Sequence, residues 1–224
     1  MRRALKNNSL TLVCTAAFLV ALFGQSLAGW KVFNEDQLAH DSAAISWPRY
    51  LVTSHFVEAM IENWQSEYLQ FAFFIVATVW LLQRGSNESK VPEDVGLESD
   101  GRQLIGPHAQ QNSPRWAKVG GWRTAIYSNS LLIVMALLFF GCWFAQSVTG
   151  WSEYNAEQSD HGEGAVAWAE YLVRADFWEK TLQNWQSEFL AVATMAIFTV
   201  YLRQRGSPES KPVGAPHNET GSSG

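Results

Sequence analysis

Asn63 and Glu67 stand four residues apart, and Asn184 and Glu188 repeat the arrangement, so each amide and its carboxyl share one face of a helix. Both pairs open an apolar segment, which sets an ionisable group near the entrance to hydrocarbon. A carboxylate at membrane depth is costly unless it is paired, hydrated or protonated, so such a residue is a functional-site hypothesis by default. Two carboxyls facing each other would push their apparent pKa values apart, and the pair could relay protons or hold a cation. The competing reading of the same residues is structural, with amides, hydroxyls and carboxyls hydrogen-bonding between helices to fix their register. The structural reading is the expectation. Gln65, Ser66, Gln186 and Ser187 extend this polar layer, and Gln25, Ser26, Gln146 and Ser147 offer matching groups near the ends of two other apolar runs.

These groups come in twos because the chain is duplicated. Residues 2–90 lie over residues 123–211 without a gap, and roughly four positions in ten coincide. Asn63-Trp64-Gln65-Ser66-Glu67 returns unchanged as Asn184-Trp185-Gln186-Ser187-Glu188.

The elements that must position the layer are membrane helices. The mean hydropathy of −0.09 conceals them, because polar loops dilute the average. Residues 10–23 and 131–145 contain no charge, and extension to Trp30 or Trp151 gives about 20 residues, enough to cross about 30 Å of hydrocarbon. The runs 64–82 and 185–202 are apolar beyond their polar beginnings and end at Arg84-Gly85 and Arg205-Gly206, where a basic residue suits the helix dipole and glycine suits the cap. The expectation is an all-α polytopic membrane protein: four transmembrane helices (about 9–30, 63–83, 129–151 and 184–204) in two parallel repeats, 1–90 and 123–211. Counting from Arg84 at ~1.5 Å per residue puts Glu67 about 25 Å away, one turn inside the outer boundary. Trp30, Trp64, Trp151 and Trp185 mark the interface as aromatic anchors.

Basic residues set the orientation. Arg2, Arg3 and Lys6 precede the first span, six Lys and Arg lie in 83–128, and Arg203, Arg205 and Lys211 follow the last span, whereas the other loops hold only Lys31, Arg49, Arg174 and Lys180. Both termini and the linker are therefore expected in the cytoplasm, with 31–62 and 152–183 outside. The opening residues also read as a secretory leader cleaved after Ala28. Their equivalent, Gln146-Ser147-Val148-Thr149-Gly150-Trp151, lies mid-chain, so retention as a helix is the preferred reading. Residues 45–61 and 166–182 carry apolar side chains at helical spacing and are expected to form outer interfacial amphipathic helices. The linker 91–122 reads as flexible from its prolines, glycines and mixed charge, and the tail 212–224 as disordered.

Other chemistry is weakly signalled. His40 and His161 lie among acids, but one histidine per loop without fixed ligand spacing reads as a solvated acidic loop, so no metal is expected. Cys14 and Cys142 differ by about 10 Å in helical depth, which argues against a disulfide. Arg-Gly-Ser-x-Glu-Ser-Lys recurs at Arg84 and Arg205 but lacks the strand and glycine pattern of a phosphate loop. No nucleophile and base pair and no dinucleotide fingerprint is present, so neither an enzyme nor a cofactor is expected, and the pattern implies no nucleic-acid partner.

Gly24-Gln25-Ser26-x-x-Gly29-Trp30, Glu62-Asn63-Trp64-Gln65-Ser66-Glu67-Tyr68-Leu69 and Gln83-Arg84-Gly85-Ser86-x-Glu88-Ser89-Lys90, with their second copies, resemble a family of small bacterial integral membrane proteins known only as a domain of unknown function. The resemblance implies a bacterial inner-membrane location and brings no activity or site residue. The favoured reading is a non-enzymatic envelope protein in the lipid bilayer. It would assemble with a second copy or another membrane protein through small-residue faces such as Ala17/Ala21 and Gly141/Ala145. The alternative is a proton- or cation-coupled carrier or channel using Glu67 and Glu188.

Overall fold

The computed structural model describes residues 2–221, with side chains from Leu5 onward. Among these residues the chain is helical without strands. Its α-helices are α1 (Arg2–Asn7), α2 (Ser9–Ala39), α3 (Trp47–Tyr50), α4 (Ser54–Trp80), α5 (Arg115–Lys118), α6 (Gly121–Ser128), α7 (Ser130–Asp160), α8 (Trp168–Tyr171) and α9 (Ala175–Tyr201). Helices α2, α3 and α4 have 31, 4 and 27 residues, and α7, α8 and α9 repeat those lengths at equivalent positions.

Helices α2 and α7 are long and apolar enough to cross a membrane, and they are the two that pass that test among the described residues. In α4 and α9 the polar beginnings, from Glu58 to Glu67 and from Glu179 to Glu188, dilute the apolar remainder. Burial runs opposite to that of a water-soluble bundle. Ser26, Gln65, Ser66, Gln146, Ser147 and Thr181 are buried, whereas Leu10, Val20, Phe23, Leu137, Phe140 and Phe144 are exposed. An exterior this apolar marks a surface meant for something other than water.

Several boundaries differ from the sequence expectation. Helices α2 and α7 continue nine residues beyond Trp30 and Trp151, because 31–39 and 152–160 contain no helix breaker. The run stops where Asp41 and Gly162 take positive φ, 57° and 71°. At ~1.5 Å per residue α2 is about 46 Å long, well beyond the hydrocarbon thickness. The outer amphipathic helices do not form as separate elements. Only the single turns α3 and α8 stand alone, and the remainder is continuous with α4 and α9, whose starts are Ser54 and Ala175.

The chain divides into two compact units that each draw on both repeats: residues 1–60 with 148–166, and residues 61–147 with 167–224. In the first unit the end of α2 is clasped to the loop after it. The Trp30 indole N–H donates to the Ile45 carbonyl at 2.7 Å, and the Asn34 amide brackets the Ile45 backbone at 3.0 and 2.8 Å. Tyr50 is buried between Phe33, His55 and Phe56. A methyl group on Gly29 would collide with its hydroxyl, which explains a glycine in mid-helix. In the same unit Trp151 and Asn155 make the equivalent clasp on Val166, at 2.8 Å and at 3.1 and 2.9 Å.

In the second unit the segments after α4 and α9 each form a tight turn. Gln83 to Ser86 closes at 3.1 Å and Gln204 to Ser207 at 3.2 Å, with Gly85 and Gly206 at φ 87° and 79°, the third-position conformation that favours glycine. Ser89 and Ser210 hydroxyls then accept from the Gln83 and Gln204 amides, both at 2.9 Å. The tail expected to be disordered is held here. Lys211 Nζ donates to the carbonyls of Pro216, His217 and Glu219 at 3.1, 3.0 and 3.0 Å, and Thr220 accepts from the Gly85 amide at 2.9 Å. The linker is similarly anchored at its start, with the Gly96 amide donating to the Val79 carbonyl at 2.8 Å and Lys90 donating to Gly96 at 3.0 Å. Carbonyl capture by lysine supplies what composition could not show. Residues 222–224 of the tail lie outside the described residues.

Candidate functional site

The polar layer is split between the two units. In the first, Ser26 is buried, donates to the Phe23 carbonyl at 2.8 Å and accepts the Trp47 indole N–H at 3.2 Å. Gln25, one residue earlier and so about 100° around the helix, is exposed. In the second unit Ser147 copies Ser26, bonding Phe144 at 2.7 Å and Trp168 at 3.2 Å, while Gln146 is buried and not exposed like Gln25.

The remaining members meet where α4 and α9 approach each other in the second unit. Trp185 donates its indole N–H to Gln65 Oε1 at 2.9 Å, and Asn184 donates to Glu62 Oε1 at 2.7 Å and to the Lys180 carbonyl at 3.0 Å. Ser66 donates to the Asn63 carbonyl at 2.9 Å and reaches Glu188 Oε1 at 3.4 Å, and Gln70 reaches the Glu188 carbonyl at 3.3 Å. The Glu67 and Glu188 carboxylates are near enough to act on each other electrostatically. Their settings differ, since Glu67 and Asn63 are exposed whereas Glu188 and Asn184 are half-buried.

The expected symmetric assembly, two Asn-Glu faces turned toward a common axis, is therefore replaced by an offset one. The first copy turns Gln65 and Ser66 inward, with 0% and 1% exposure, whereas the second leaves Gln186 and Ser187 outside and contributes Asn184, Trp185 and Glu188. Polar residues at four or five successive positions surround a helix, so repetition of the motif fixed their depth and left the facing side open. Glu62, where the second copy has Gln183, closes the layer. Its difference between copies was the signal that it could play a one-sided part.

The expected aromatic anchors are also turned inward. Trp30, Trp151 and Trp185 each give the indole N–H to a group within the protein, and Trp64 is half-buried. Asn34 and Asn155, which fasten the clasps, were missed because they lie beyond the expected helix ends. Their identity in both copies was the available signal.

Outside the layer, His40 Nδ1 lies 3.0 Å from the Asp36 carbonyl, and His161 Nδ1 lies 2.8 Å from that of Glu157. The Asp36 carbonyl and then its carboxylate hold the His40 imidazole above its ordinary value. Among the described residues no three His, Cys, Asp or Glu side chains gather as a metal ion would require. Cys14 and Cys142 are free thiols.

The arrangement can join helices: each bond in the α4/α9 layer ties a side chain of one helix to the other or to its own backbone. In comparison with known families the chain matches a domain of unknown function (DUF6766) over residues 1–222. No curated protein and no solved structure matches the chain.

Proposed function

The chain belongs to the DUF6766 family, and since a domain of unknown function brings no activity with it, we propose from these residues a non-enzymatic scaffold of the bacterial inner membrane. It spans the bilayer four times, keeps both termini in the cytoplasm and assembles with a second copy or another membrane protein. The observation that carries this reading is the use of the polar layer: Gln65 to Trp185, Glu62 to Asn184 and Ser66 to Glu188 are bonds between helices. The apolar exterior supports a lipid setting, and the open space around Gly141 and the exposure of Ala17 and Ala21 leave small-residue faces on which another helix can approach closely. Positive charge near 2–6, 83–128 and 203–211 supports the orientation.

The carrier reading keeps one observation, that Glu67 lies near enough to act electrostatically on Glu188. Against it, the half-buried Glu188 accepts from Ser66, and Glu67 is already exposed.

Two measurements test the scaffold. Single cysteines at Ser42 and Glu163, in a chain lacking Cys14 and Cys142, should react with an impermeant maleimide from outside the cell, and one at Asn87 only after permeabilisation. Photo-crosslinkers at Ala17 and Gly141 should give a discrete adduct. Labelling of the Asn87 site in intact cells would refute the topology, and adduct-free membranes would refute the assembly.

A further inference from the structure

The twin turns that end the repeats meet each other. Asn87 Nδ2 donates to the Pro208 carbonyl at 3.3 Å, and these are equivalent positions of the two motifs. The next residues, Glu88 and Glu209, bring their carboxyls close enough to act on each other. Both acids border a cavity of about 280 Å³ walled by Phe71, Phe74, Val192 and Met195, with Gln70 and Ala191 completing it. An adjoining cavity of about 130 Å³ shares Phe74, Glu88 and Val192.

The two lysines that follow these acids, each two residues on, are turned to other partners. Lys90 Nζ binds the Gly96 carbonyl at 3.0 Å and lies 3.5 Å from Glu98, and Lys211 Nζ binds its three tail carbonyls. Arg203 gives its guanidinium to the carbonyls of Thr199, Val200, Leu202 and Ala215. Burial, and then Glu209, hold the Glu88 carboxyl above the ordinary carboxylate range. Two acids thus stand together at the rim of an apolar, aromatic space.

We infer that this cavity binds a net-cationic amphiphile, an alkyl- or arylalkylammonium, with its ammonium between Glu88 and Glu209 and its apolar part against Phe71, Phe74, Val192 and Met195. Two acids call for positive charge, phenyl faces attract a cation, and the apolar walls accept a chain. A zwitterionic headgroup fits less well, because its phosphate would approach the same carboxyls. Where Glu88 carries its proton, binding exchanges one charge for another: the ammonium enters, that proton leaves to solvent, and Glu88 is left as a carboxylate. The site therefore favours its ligand as pH rises.

The test uses the full chain in phosphatidylcholine nanodiscs, titrated calorimetrically with octylammonium against protein-free discs, with octanol and octanoate as neutral and anionic controls. The expected result is saturable binding of octylammonium alone, with proton release to buffer and weaker binding at about pH 5 than at about pH 8. Glu209 is exposed, so Glu209→Gln leaves the fold intact and should weaken binding about tenfold or more, the worth of one charge-assisted hydrogen bond. Heat equal to that of empty discs, equal binding of octanol, or an unchanged Glu209→Gln would each overturn the assignment.

Discussion

The two copies of the repeat close the same clasp at one end and part company where α4 meets α9 and where the turns meet the tail. Trp30, Asn34 and Ile45 in the first copy, and Trp151, Asn155 and Val166 in the second, make the same three hydrogen bonds to within about 0.1 Å. The polar layer and the terminal turns diverge. Gln65 is sealed while Gln186 is open, and a side chain on Gly85 would meet the His217 carbonyl while the same change at Gly206 meets open space. The clasp is a local contact, made by residues some eleven to fifteen apart, so each copy can form it alone. The α4/α9 part of the layer and the meeting of the two turns are contacts between copies. When two copies meet off-register, equivalent positions such as Gln65 and Gln186 take different settings, one inside and one out.

The largest effect that could break this comparison comes from the turns. Gly85→Ala should eject the 212–221 tail and destabilise the protein by about 2–4 kcal/mol through backbone collision and a positive φ. Gly206→Ala carries only the conformational cost, about 1–2 kcal/mol. Thermal unfolding in detergent and limited proteolysis after Lys211 read both, and equal losses would contradict the asymmetry.

The layer comes next. Gln65→Leu leaves the Trp185 indole N–H without its acceptor and should cost about 1–3 kcal/mol. Gln186→Leu on the exposed side should stay within about 0.5 kcal/mol. The same unfolding measurement separates them. The clasp sharpens the comparison from the other side. Asn34→Ala and Asn155→Ala each remove a bracket on a backbone, so their losses should match, at about 1–2 kcal/mol apiece. Unequal losses would show that the copies differ at this end too.

The smallest effect is a pH dependence. Glu88 is held above its unfolded value by burial and Glu209, so between those two values the folded state carries more protons than the unfolded one. Stability from this group is therefore present below the unfolded value and lost as pH rises through the folded one. Glu88→Gln should flatten that decline in a series of melts from acid to neutral pH, and an unchanged slope would remove Glu88 as its source.

Much of the fold was legible because hydrophobic runs free of charge report helices directly, as at α2 and α7. Their ends were not. Residues 31–39 mix charged and polar side chains with apolar ones, and the arrival of charge says where a helix leaves the hydrocarbon and nothing of where it stops. The tail misled for a related reason. Lys211, among glycines and prolines, reads as solvated, but an ammonium that finds three carbonyls can order a segment with little apolar surface. In the polar layer, Ser26, Ser147, Gln65 and Ser66 were found and lie inside, while Gln25, Asn63 and Glu67 share their motifs and lie outside. Sequence repetition carries depth along the helix. The side that faces a neighbour depends on how two helices dock, which the pattern does not encode.

The central claim, that the layer joins helices and does not conduct, is tested most directly by proton flux into proteoliposomes carrying a pH-sensitive dye. The native chain is compared with the Glu67→Gln, Glu188→Gln double variant. The account predicts no flux above that of empty liposomes for either protein. A native flux that the folded double variant loses would contradict it and make the two carboxylates a conduction or coupling site.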